Sequence, residues 1–75
     1  MQERYELALD AFQKAALADP KLPEIHLGIA LICLELKRFD EALAAVELEL
    51  KLVPESKAAL EAKARIEAAK GAPSP

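Results

Sequence analysis

Pro20 and Pro54 stand 34 residues apart, and that interval constrains the chain more than any other feature. A proline inside a helix removes a backbone donor and collides with the preceding turn, so helices stop near prolines or begin on them. Pro23 follows Pro20 closely, and Gly71, Pro73 and Pro75 close the sequence. The stretches between these breaks each have room for a helix of ordinary length. The stretch from Pro23 to Pro54 is long enough for two, and the cluster Lys37-Arg38-Phe39-Asp40 supplies the break between them, with Asp40 the expected N-cap.

The resulting expectation is an all-α chain of antiparallel helix–turn–helix units, with four helices at about 3–18, 23–36, 40–53 and 56–70. Ser56 is placed to cap the last helix and Gly71 to stop it. Composition agrees. Ala supplies 16 residues and Leu 13, against six β-branched residues and no Thr. Sheets draw on β-branched and aromatic side chains, which this chain scarcely has.

Overlaying the chain on itself at an offset of 34 matches Arg4 with Arg38, Ala8 with Ala42, Leu9 with Leu43, Ala11 with Ala45 and Pro20 with Pro54. Tyr5 falls on Phe39, and Glu6 on Asp40. A helix–turn–helix period of this length resembles the tetratricopeptide repeat. The family pattern of aromatic, small, bulky and proline positions is filled by Phe39, Ala42, Val46 and Pro54, and earlier by Tyr5, Ala8, Phe12 and Pro20, with Ala15 at the small position between. The first helix of the full copy is less typical. Ile29 and Ala30 fit, whereas His26, Cys33 and Glu49 depart from the pattern.

In this frame one domain covers 1–70. Residues 4–20 are the second half of a repeat, 23–54 are a full repeat, and 56–70 are a more polar capping helix. Residues 71–75 are expected to form a disordered tail. Arrays of this kind usually need about three repeats. The expectation is therefore the C-terminal portion of an array, or a core completed by another chain.

The resemblance implies a non-catalytic scaffold for protein partners, bound on a concave surface lined by the first helix of each repeat. The matching positions are Glu24, Leu27, Leu31, Leu34 and Glu35, an apolar groove suited to a partner helix or peptide. The alternative is self-association, a homodimer or oligomer in which Tyr5, Leu9 and Phe12 supply packing between chains. A subset of the family clamps the C-terminal carboxylates of chaperones with Lys, Asn and Arg. The comparable positions here hold Leu27, Gly28 and Leu31, so charged donors in fixed geometry are missing and no such binding is expected.

Other chemistry finds little support. The net charge of −3 gives no basic stripe for nucleic acid. The longest apolar run, Ile25 to Leu34, is far short of the roughly 20 residues a bilayer span needs, so no membrane insertion is expected. Cys33 is the single cysteine, which excludes an intramolecular disulfide and makes a reducing, cytoplasmic setting the default. His26 and Cys33 lie seven apart on one helix face, but a zinc site needs about four ligands and no other His or Cys exists. Both are expected in the core. With no phosphate-binding glycine loop and no activated nucleophile, no catalytic residue, metal or cofactor is expected.

Overall fold

The computed structural model describes residues 2–71. It contains four helices: α1 (Gln2–Ala18), α2 (Ile25–Glu35), α3 (Phe39–Leu52) and α4 (Lys57–Gly71). No strand occurs among the described residues. The Cα atoms span 40 × 30 × 15 Å. A helix with its side chains is about 10–12 Å across, so the molecule is a slab of one to two helix layers.

The layering follows from apolar character. α2 is apolar almost all round, and such a helix must be covered on several sides. It alone packs against all three others, whereas no Cα of α1 comes within 8 Å of one in α3 or α4. The core runs from Leu9 through Ile29, Ala30, Ile32 and Cys33 to Ala42, Ala45 and Val46, then to Ala59, Ala62 and Ile66. Alanines at these points let helix backbones approach closely.

Helix ends fall within two residues of the sequence expectation, and at two helix starts the difference has a local cause. α2 starts at Ile25 rather than residue 23, because Glu24 holds a left-handed backbone (φ 75°) that cannot continue a helix. The first turn of α3 begins at Phe39, with Arg38 at the N-cap and no side-chain capping bond. Asp40 therefore lies inside the first turn, where its charge still favours the positive end of the helix dipole. Ser56 caps α4 as expected, its Oγ accepting from the Ala59 N–H at 3.1 Å. Gly71 is the last residue of that helix. The remainder of the expected tail, 72–75, lies outside the described residues.

The α2–α3 turn is closed by its own backbone. The Arg38 N–H donates to the Cys33 carbonyl (2.8 Å) and the Lys37 N–H to the Leu34 carbonyl (3.0 Å). These are the two bonds of a Schellman ending. Lys37 takes the left-handed position (φ 61°) that glycine usually fills.

Across the α1–α2 interface Gly28 sits beneath Phe12. A methyl group on Gly28 would come within 3.0 Å of the ring. At the offset of 34 this pair becomes Val46 and Ala62, both buried in the core. A large-over-glycine pair in one copy thus corresponds to a medium-over-alanine pair in the next, which conserves volume.

Candidate functional site

The candidate surface is built on α2. One side of this helix faces the core: His26, Ile29, Ala30, Ile32 and Cys33 are buried. Leu27, Leu31 and Leu34 recur at spacings of four and three on another side and are half-buried, packed against the edge of the core. At about 100° per residue, the middle of that stripe stands about a third of a turn from the middle of the side formed by His26, Ile29 and Cys33. Glu24 and Glu35 are exposed at its two ends. The five residues expected on a concave surface therefore share one side of one helix, an apolar strip bracketed by acids.

The start of α2 is held by a residue from another helix. Glu24, its N-cap, makes no side-chain capping bond. Instead the Glu49 carboxylate of α3 accepts from the Glu24 N–H (Oε2, 2.9 Å) and from the Leu27 N–H (Oε1, 3.2 Å). These are the N-cap and N3 donors that a capping box would satisfy within one helix. Glu49 is only 1% exposed. A buried carboxylate is costly unless hydrogen-bonded, and here it meets two orphan donors at the positive end of a helix. The departure of Glu49 from the family's small residue thus has a structural role, and it fixes the backbone that carries Leu27.

His26 closes the adjacent loop, its Nε2–H donating to the Pro20 carbonyl at 3.1 Å. Cys33 is buried. Burial pushes its thiol above the ordinary range, the Glu41 carboxylate adds to that, and the Arg38 guanidinium offsets part of it. A thiol raised in this way stays protonated near neutrality and is a poor nucleophile. No group of three or more His, Cys, Asp or Glu side chains lies close enough to hold a metal ion among the described residues.

On the opposite side of α2, the gap between α1 and α3 leaves an apolar groove of about 660 Å³. Ile29 and Cys33 form its floor, and Leu17 and Leu48 stand exposed on its two walls. No local pattern of residues announces this groove, because it arises from the absence of contact between α1 and α3, two helices that are not neighbours in the chain.

The expected self-association trio does not share one free face. Leu9 is 4% exposed and belongs to the chain's own core. Phe12 lies over Gly28. Tyr5 is exposed. Besides Tyr5, the large apolar residues that α1 presents to solvent are Leu7 and Leu17, at 73% and 84% exposure.

Antiparallel helix pairs stacked through a shared middle helix define an α-helical repeat protein. A model of the tetratricopeptide repeat matches residues 2–56, taking in α1, α2 and α3. The chain belongs to the tetratricopeptide repeat family. Neither a curated protein nor a solved structure matches it. Members of this family generally mediate protein–protein interaction without catalysis. No helix among the described residues is long and apolar enough to cross a membrane.

Proposed function

We propose that this chain is a non-catalytic scaffold that holds a helix or extended peptide of a protein partner along the leucine strip of α2. The observation that carries the reading is the placement of Leu27, Leu31 and Leu34 on one half-open side, with Glu24 and Glu35 exposed at its ends. The partner segment is apolar with basic flanks: leucine-like anchors at helical spacing meet the strip, and Lys or Arg meets the two acids. The exposed carboxylates add mainly to the association rate and its salt dependence, and the leucines to affinity.

A second location is favoured by one specific observation, the apolar groove between α1 and α3 with Leu17 and Leu48 on its walls. One titration separates the two. The isotopically labelled chain is titrated with a synthetic amphipathic peptide carrying leucines at i, i+4 and i+7 between lysines. Amide shifts centred on Leu27, Leu31 and Leu34, lost in Leu31→Glu and retained in Leu48→Glu, support the strip. Shifts centred on Leu17 and Leu48, lost only in Leu48→Glu, move the site to the groove. No saturable shift at either place contradicts the reading.

A further inference from the structure

The groove between α1 and α3 differs from the leucine strip in shape and in charge. Small residues keep it open: Ala16 stands on one wall and Ala44 and Ala45 on the other, above the floor of Ile29 and Cys33. A larger side chain at Ala16 or Ala44 would close it. Its volume of about 660 Å³ falls within the range of small-molecule sites, roughly 300–1,000 Å³. Glu41 and Leu48 of α3 both line it. They are two helical turns apart, so the lined length is about 10 Å.

The polar side chains in the lining are Gln13, His26 and Glu41. His26 is already engaged, its ring meeting the Pro20 carbonyl at 3.1 Å, and Gln13 carries no charge. Glu41 is the one carboxylate. It is exposed, and the ion pairs found among the described residues use Asp10, Glu6 and Asp40 instead. The nearby cation, Arg38, is tied to Glu6 at 3.3 Å. The field of Glu41 reaches the floor: after burial it is the larger influence on the Cys33 thiol, and Arg38 offsets only part of it. The groove is thus apolar along its length and negative at one end.

We propose that this groove binds a small amphiphilic cation, its apolar body of about 10 Å lying over Ile29 and Cys33 and its ammonium group paired with Glu41. Burial of the body supplies most of the affinity. The ammonium, in an exposed pair, fixes the orientation and the sign of charge accepted. The walls are helices whose backbone groups bond internally, so an extended peptide would find no partner there for its own backbone. The site stands apart from the leucine strip, and neither reading depends on the other.

NMR titration of the isotopically labelled 75-residue chain tests the proposal with three probes that share one alkyl chain: octylammonium, 1-octanol and octanoate. Octylammonium gives saturable shifts at the Ile29, Cys33, Ala44 and Leu48 amides. It binds about threefold more tightly than octanol and about tenfold more tightly than octanoate, and the margin over octanoate narrows as salt is raised. Glu41→Gln brings octylammonium down to the affinity of octanol and leaves octanol unchanged. Ala44→Leu fills the groove and removes binding of all three while the helical circular dichroism is retained; Ala16→Leu serves in its place if that variant unfolds. Absence of saturable shifts, octanoate binding as tightly as octylammonium, a preference for the cation that survives Glu41→Gln, or shifts centred on Leu27, Leu31 and Leu34 would each overturn the proposal. So would occupation of the groove by the amphipathic peptide and not by octylammonium, which would assign it to a protein partner.

Discussion

α1 and α3 occupy equivalent places in the repeat, with five of seventeen positions identical between Arg4–Pro20 and Arg38–Pro54. Their surroundings differ in one respect. α3 lies under α2, which covers its small-residue side, while nothing among the described residues covers that side of α1. The contrast teaches that the repeat signature encodes a surface and not its occupancy. Alanine at Ala11 and at Ala45 is the same local choice, yet one is open to water and the other is 6% exposed.

That comparison is most sharply broken by placing a charge in both copies. Ala45→Glu buries a carboxylate with no partner and is expected to cost about 3 kcal/mol or more, whereas Ala11→Glu stays within about 0.5 kcal/mol. Denaturant unfolding of the two variants at concentrations where both are monomeric checks this. Equal losses would mean that the two helices are equally covered.

Glu49 gives the next largest effect. Glu49→Ala removes two hydrogen bonds to a charged acceptor and leaves the Glu24 and Leu27 N–H groups unanswered, a loss of about 2–3 kcal/mol in unfolding free energy. Ala15→Glu, the same residue type placed at the equivalent site of α1, finds no helix start to cap and brings no such gain. A Glu49→Ala variant of unchanged stability would remove the capping role.

A smaller effect tests the volume exchange between copies. Gly28→Ala gains helix propensity of about 1 kcal/mol but forces the Phe12 ring aside, and Phe12→Val alone leaves a cavity. Combined, they recreate the Val46–Ala62 pair, and the double variant is expected to be more stable than the two single changes predict by addition. Strict additivity, read from a thermal or denaturant double-mutant cycle, would show that the two pairs are not equivalent.

The smallest change expected is at a helix end. Lys37→Gly relieves a left-handed lysine in the Schellman turn and is expected to raise stability by about 1 kcal/mol. A loss would show that the lysine side chain contributes more than its backbone costs.

Much of the fold was legible in the sequence because prolines and a fixed period are local signals. Pro20, Pro23 and Pro54 delimit helices wherever the chain packs, and Ser56 announces its own cap. The start of α2 was misplaced because its cap comes from Glu49, a residue 25 positions from Glu24. Asp40 looked like a cap because a carboxylate before an apolar run usually is one. Here the Schellman turn delivers the chain to Phe39 already in register. The leucine strip follows from the family resemblance together with the spacing of Leu27, Leu31 and Leu34. The α1–α3 groove and the uncovered side of α1 were not legible, since both depend on which helices fail to touch.

Native-state hydrogen exchange on the monomeric chain tests the contrast between the two copies most directly. Amides that open together report the local stability of each helix. The account predicts that the amides from Ala42 to Glu49 exchange at least about tenfold more slowly than those from Ala8 to Ala15, a gap of about 1.4 kcal/mol. Equal protection of the two stretches, or stronger protection of α1, would contradict it.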